Sequence, residues 1–309
     1  MDENVLTLTR TGGGQAARRS WGRPAVATGM LLPFGALYLL FLVLPSLYAL
    51  VMSFFNTSLV RPGLSGFAGV GNYAELLTTA SFWTSVAHTL LFTLLTTPPL
   101  VLLALLLAML ADRVRRGRWV YRLVFFAPYV LPSSVVFLIF AWMYTPGFGL
   151  IDGYLGRVGV GPIAWLTQPQ LAMAAVVIMT VWWTLGFNFI LYLAGLQDIP
   201  RELYDAASVD GARQWHQIWR ITVPLLGRTT TLVAVLQAIA SLKVFDQIYL
   251  LLSGGPNDAT RPAIEYIYDV GFTGYRVGYA SAVSVVFFLI ILAISIVWLG
   301  IVRRQEREA

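Results

Sequence analysis

The residues with which this chain could do covalent chemistry are few and lie far apart. It has two histidines, His88 and His216, no cysteine, and a single lysine, Lys243. Two imidazoles without a thiol are too few to build a zinc cage, so no metal site is expected. A phosphate-cradling loop needs a lysine directly after a glycine-rich turn. Lys243 instead follows Ala240, Ser241 and Leu242, which excludes that route to nucleotide hydrolysis. Ser65 sits in a Gly-Leu-Ser-Gly quartet, Gly63 to Gly66. An intramembrane hydrolase would use such a serine with a base, but Ser65 sits in a Pro- and Gly-punctuated loop after the first apolar run while His88, the only histidine in an apolar segment, comes from the next, so a plain turn is the expected reading. Hydrogen-bonding groups are more numerous. Asn188, Gln237 and Ser241 interrupt apolar stretches, Gln237 and Ser241 at a spacing that shares one helix face. Lys243 and Asp246, three apart, can pair as a structural salt bridge or contribute to a gate.

The elements that position these groups follow from composition. At 58% hydrophobic and 12% charged, the chain is far from the roughly 25% charged content of soluble domains. Uncharged runs from Pro24 to Val60, Phe82 to Ala111, Leu123 to Ile151, Val158 to Gln197 and Val277 to Val302 each reach the ~20 residues of a spanning helix. A sixth candidate, between Arg228 and Lys243, is short. It must borrow from Ile221–Gly227 or Val244–Leu252 and let end charges snorkel. The expectation is an all-α polytopic membrane protein with about six transmembrane helices.

Arginine placement orients it. Sixteen of the 21 basic residues fall in the N-terminal tail, the loop after the second span, the loop around Arg201–Arg228 and the C-terminus. Basic residues accumulate on the cytoplasmic side, so both termini and that loop are expected there. The net charge of +6 then reports topology rather than nucleic-acid binding. Residues 1–24 read as a flexible basic cytoplasmic tail, 25–302 as the transmembrane domain and 303–309 as a second cytoplasmic tail. The first apolar run is too long for a secretory signal and reads as a retained helix.

The stretch "DAASVDGARQWHQIWRITVPLL", Asp205 to Leu226, breaks the apolar pattern. Glu202–Val209 favours helix, Gly211 supplies a break, and a second helix resumes with Trp215, Ile218, Trp219 and Thr222 on one face and Arg213, Gln217 and Arg220 on the other. Pro224 is placed at the opening of span five, where its missing donor costs little. Such an element can rest on lipid headgroups or dock on a partner.

Its pattern resembles the cytoplasmic signature of ATP-binding-cassette importer permeases: an acid and two alanines, a glycine four residues on, then an isoleucine and a proline. Asp205, Ala206, Ala207, Gly211, Ile221 and Pro224 match at that spacing, with Asp205 for the usual glutamate and Val223 for the usual leucine. "FAGVGNYAELL", "AGLQDIPRELYDAA", "FDQIYLLLSGGP" and "GYASAVSVV" are similar to the sugar-importer branch of that family. The resemblance implies a type I importer permease in a bacterial cytoplasmic (inner) membrane, importing a di- or oligosaccharide. Its partners would be a second permease subunit in a heterodimer, two ATPase subunits carrying ATP and magnesium, and an extracytoplasmic solute-binding protein. No cofactor would sit on this chain.

The same resemblance implies that the 205–224 loop, within a coupling segment of about 198–224, fits a groove on the ATPase, with Trp215 and Trp219 anchoring the second helix to the permease. It also places sugar contacts on the spans flanking the loop. There Gly186 would loosen the helix, Asn188, Gln237 and Ser241 would hydrogen-bond, and Phe189 would stack, with Trp183 or Tyr192 as alternatives. Helix-to-helix bonding is the other reading of these polar groups. Beyond the "SGGP" turn, Ile264, Ile267 and Tyr268 fall on one side of a short helix, to rest on the outer interface or meet the binding protein. The rival class is a gradient-driven secondary transporter, which calls for carboxylates inside the spans; the long apolar cores hold none.

Overall fold

The computed structural model describes residues 23–114 and 116–308. The tail residues up to Gly22, with the basic run expected there, and Arg115 lie outside the described residues. Two compact units divide at Ala49 and Leu50. The first consists of α1 (Arg23–Tyr38), a π-helical turn (Leu39–Val43) and the start of α2 (Leu44–Met52).

The second unit contains α3 (Gly71–Thr78), α4 (Ala80–Arg113), α5 (Arg118–Val130), α6 (Ser133–Met143), α7 (Leu150–Arg157) and α8 (Pro169–Gln197). It continues with α9 (Arg201–Val209), α10 (Gln214–Gln217), a π-helical turn (Ile218–Thr222), α11 (Val223–Leu225) and α12 (Gly227–Leu242). After α13 (Asp246–Leu252) and α14 (Ala263–Tyr268), a third π-helical turn (Asp269–Thr273) leads into α15 (Val277–Glu308). Among the described residues there is no strand, only an isolated bridge between Phe55 and Phe67.

Among the described residues, four helical stretches are long and apolar enough to cross a membrane, and six if two bent pairs each count as one span. The bent pairs correct two expected spans. Leu123–Ile151 is not one helix: α5 and α6 meet at 94° because Leu131, preceding Pro132, adopts extended backbone (φ −66°, ψ 137°). The fifth span bends by 60° between Leu225 and Gly227. The run from Val158 becomes helical only at Pro169, which occupies the first turn, where a missing N–H costs nothing. At the C-terminus, α15 carries helix through to Glu308 rather than ending at Val302.

Packing is built on small residues. Ala104, Ala108 and Ala111 of α4 are buried against Phe189, Tyr192, Leu193 and Leu196 of α8 and Val233 of α12, a close approach that membrane helices favour. A second cluster joins Phe92, Phe140, Tyr144, Met179 and Ile248; a third joins Leu76, Phe82, Tyr266, Tyr279, Val283 and Phe287. The loop between α6 and α8 is organised by the buried Asp152. Its carboxylate accepts from the backbone N–H of Gly147 (2.8 Å) and Ile163 (3.0 Å) and from Trp165 Nε1 (3.2 Å). Those donors, the Gly147 N–H foremost, hold its pKa below the ordinary carboxylate value.

Candidate functional site

Two polar constructions stand out, at one end of the bundle and in its interior. At the end, α8 gives way after Gln197 to α9, whose C-terminus closes in a Schellman turn. The Gly211 N–H bonds to the Ser208 carbonyl (3.1 Å) and the Ala212 N–H to the Ala207 carbonyl (2.8 Å). Gly211 holds φ +76°, a left-handed conformation that glycine adopts without a Cβ penalty. The chain then doubles back through α10, forming an elbow. Asp205 and Ala206 are exposed and Ala207 and Ile221 half-buried; Ala207, Gly211, Arg213, Arg220 and Ile221 line a shallow cavity of 530 Å³. The Asp205 carboxylate has no partner among the described residues.

Two expectations about the elbow change. Trp215 and Trp219 pack edge-to-face on each other at 5.4 Å but are 65% and 54% exposed, so they do not anchor the helix to this chain's core. Pro224 does not open the span. It lies inside a helix that continues to Leu225, directly after the π turn at Ile218–Thr222. A proline ring clashes with the carbonyl four residues back in an α-helix, and widening the preceding turn relieves that clash. Pro45 stands in the same relation to the π turn at Leu39–Val43.

In the interior, Asn188 Nδ2 donates to Gln237 Oε1 (2.9 Å) and Gln237 Nε2 to Ser241 Oγ (3.1 Å). Ser241 Oγ meets Thr96 Oγ1 at 3.0 Å, and Thr96 Oγ1 donates to the Phe92 carbonyl (2.8 Å). This track ties α8, α12 and α4 together. Gln237 and Ser241 also wall a cavity of 130 Å³ with Tyr129, Thr180, Thr184, Phe187 and Gln247.

The other pathway residues do not line it. Asn188 is fully buried behind Gln237. Phe189 packs on Phe125 in the core, ring centroids 5.3 Å apart. Gly186 does not loosen α8; a Cβ there would collide with the Phe125 carbonyl and come within 2.8 Å of Phe126 Cα, so it is a point of close helix approach. The aromatic lining comes from Tyr129 and Phe187, stacked at 5.5 Å, and the hydroxyl lining from Thr180 and Thr184. Sequence reading passed over these because threonines and aromatics are ordinary in apolar helices. Thr96, preceding the Thr97-Pro98-Pro99 run, carried a signal in that helix-breaking context.

Ser65 and His88 stand apart, as do Lys243 and Asp246. Ser65 Oγ donates to the Arg61 carbonyl (3.4 Å) and His88 Nδ1 contacts the Arg261 carbonyl (3.2 Å), so neither addresses the other. No ion pair joins Lys243 and Asp246. Lys243 is an exposed C-cap of α12 and Asp246 begins α13, where a carboxylate favours the helix dipole. Ile264 and Ile267 pack against the third core cluster, and Tyr268 joins Phe245, Tyr249 and Phe272 in an aromatic group. These three side chains are thus half-buried against their neighbours rather than free.

The described residues form a nearly all-helical, multi-span bundle with a polar interior track and a doubled-back elbow, an architecture that suits a membrane transport component. Residues 100–308 match the binding-protein-dependent transport system inner membrane component family, and the chain belongs to that family. It is 34% identical over 285 residues to the sulfoquinovosyl glycerol transport system permease SmoG of Agrobacterium fabrum, covering 92% of each chain. To the trehalose/maltose transport system permease MalF of Thermococcus litoralis it is 36% identical over 282 residues, covering 89% of this chain and 92% of that one. A solved bacterial ABC transporter that imports the acidic polysaccharide alginate matches with TM-score 0.79 and 26% identity, over 91% of this chain and 96% of that chain. The chain is accordingly a permease, a multi-pass transport component rather than a catalytic subunit.

Proposed function

We propose that this permease forms half of the translocation path of an ATP-driven importer of a di- or oligosaccharide, pairing with a second permease subunit in a bacterial cytoplasmic membrane. Two separate ATPase subunits hold ATP and magnesium and grip the elbow from Asp205 to Pro224; a loaded solute-binding protein docks on the opposite side. Both termini and the elbow are cytoplasmic. The relatives' sugar and glycoside substrates support the substrate class, and the alginate transporter has been crystallised with a pentasaccharide-bound periplasmic protein, which supports the binding-protein partner.

One observation supports the coupling role: the Schellman turn at Gly211 presents Asp205 and Ala206 outward, an acid without a partner among the described residues beside small side chains. Alternating access is then an equilibrium between two states, biased by nucleotide on one side and the loaded binding protein on the other. Gln237 and Ser241, with Tyr129 and Phe187 beside them, offer hydroxyl recognition and ring stacking to a passing sugar.

The test is to purify the chain from membranes and identify what accompanies it. Co-purification with an ATPase and a second permease, and ATP-dependent uptake by the assembly, is the expected result. Transport by this chain alone on an ion gradient would select a secondary carrier. Gly211→Pro, or a bulky residue at Ala207, is expected to abolish assembly or stimulated ATP hydrolysis; normal stimulated hydrolysis would remove the elbow from the docking role.

A further inference from the structure

We infer that Tyr204 and Thr222 are positioning residues that make the elbow a rigid lever, so that displacement of α9 reaches α12 instead of being absorbed at the Gly211 turn. This rests on the coupling role proposed above and adds which side chains transmit the motion.

Along the chain, α9 and α12 are connected by two compliant places and by the 60° bend between Leu225 and Gly227, which the bonds from the Leu226 N–H to the Thr222 carbonyl (3.0 Å) and from the Thr230 N–H to the Leu226 carbonyl (2.7 Å) carry across. The first is the turn at Gly211, where a Cβ would meet nothing within 4 Å; no neighbouring atom braces it from that side. The second is the π turn at Ile218–Thr222, a wider and rarer backbone ring than an α-helical one. Force carried by the backbone alone would open one of these before moving the span.

Across space the two arms are tied. Tyr204 Oη of α9 meets Thr222 Oγ1 at 2.9 Å. Gln217 Nε2 donates to Ser208 Oγ (2.9 Å) and more weakly to the Ala212 carbonyl (3.4 Å). The positions of these ties matter. Thr222 is the last residue of the π turn and is 5% exposed, and its Oγ1 also leans on the Gln217 carbonyl at 3.4 Å. The hydroxyl pair therefore braces the compliant turn at the point where it hands over to α11, in a part-buried site on the wall of a 540 Å³ cavity. The Ser208–Gln217 pair is exposed and contributes less.

The brace also closes a ring. α8 leads directly into α9 through Asp198–Pro200, and Asn188 of α8 bonds Gln237 of α12 farther along the span. With Tyr204 bonded to Thr222, the path α8, α9, π turn, α12 and back to α8 is cross-linked at both ends. A closed frame of this kind moves as one body, and it carries Gln237 and Ser241, which wall the interior cavity.

The chain has no native cysteine, so labels can be introduced singly. Spin labels at Glu202→Cys on α9 and Leu232→Cys on α12 report the distance across the elbow in the purified complex with its co-purified ATPase, with and without ATP and vanadate. The expected wild-type result is one narrow distance that nucleotide leaves unchanged, because the frame moves as a unit. Tyr204→Phe and Thr222→Val each remove the bond while keeping the shape. In either, the distribution is expected to broaden and its mean to shift on adding nucleotide; Thr222→Ser is expected to keep it narrow. Narrow, nucleotide-independent distances in both hydroxyl-deleted variants would overturn the lever. So would a wild-type distance that already moves with nucleotide. Purification without any ATPase would overturn this inference together with the coupling role, whereas an ATPase that co-purifies and leaves the variants' distances narrow overturns the lever alone.

Discussion

Asn188 of α8 and Gln237 of α12 are joined by a 2.9 Å hydrogen bond across 49 positions of sequence. Only Gln237 of the two faces the interior cavity; Asn188 stands behind it and fixes its amide. The pair thus combines the two roles that the sequence left open, helix-to-helix bonding and solute contact, in different residues.

Gln237→Ala is therefore expected to reduce uptake strongly while lowering the thermal midpoint in detergent only slightly, since interhelical hydrogen bonds in membranes average about 0.6 kcal/mol. Asn188→Ala is expected to do the reverse in part: a similar stability loss, with uptake reduced less than in Gln237→Ala. Uptake assays on both variants, normalised to assembled protein, separate the roles. Equal uptake defects would mean that Asn188 also contacts solute.

Gly186→Ala and Gly278→Ala are expected to be among the most damaging single methyl additions in the chain. At Gly186 the new Cβ collides with the Phe125 carbonyl, and at Gly278 with the Phe55 carbonyl, so backbone on both sides must shift. Overpacking of this kind costs about 1–3 kcal/mol. Gly153→Ala, where nothing lies within 4 Å, is the control. Thermal midpoints in detergent should fall for the first two and not for the third.

The membrane class, the helical content and the elbow were legible because each rests on a local pattern: uncharged length, arginine placement, and a glycine after a helix-favouring run. What stayed hidden depends on contacts between distant segments. Gly186 reads as a helix weakener in isolation and is a contact point only because Phe125 crosses it. Phe189, equally aromatic and equally placed on paper, turns toward Phe125 while Phe187 faces the cavity. The proposed Lys243–Asp246 pair failed because α12 ends at Leu242 and α13 starts at Asp246, so the i, i+3 geometry of one helix never applies. In the sequence Pro224 looks like a start signal because a π turn that absorbs a proline has no sequence mark of its own.

Asp152→Ala is expected to free the loop between α6 and α8. Its three donors, the Gly147 and Ile163 N–H groups and Trp165 Nε1, all converge on one carboxylate, and loss of a buried acceptor leaves each needing a new partner. Limited proteolysis should cut residues 145–168 in the variant under conditions that spare the native chain. Asp152→Asn, which keeps one acceptor oxygen, should fall between them. An uncut Asp152→Ala loop would show that the surrounding packing alone holds it.

Glu265 gives the stability a pH dependence whose sign can be worked out. It is 2% exposed in α14. Burial, reinforced by the nearby Asp269 and Asp258 and only partly offset by Arg261, pushes its pKa from 4.5 up to about 7. Between those two values the folded chain keeps a proton that the unfolded chain has released. Stability therefore falls as pH rises from 4.5 through about 7. Below this window both states are protonated and above it both are ionised, so Glu265 contributes no further slope. Arg261, bonded to Asp258 at 3.0 Å and nearer 3.7 Å to Asp269, has its charge engaged by those carboxylates, and Glu265 Oε2 has no hydrogen-bond partner. Glu265→Gln supplies a neutral side chain of the same shape at every pH. The variant's thermal midpoint in detergent is expected to match the native chain near the acid end of the window and to exceed it above the upper end. Equal midpoints for the two proteins at both ends would show that Glu265 ionises in the folded state at its ordinary value.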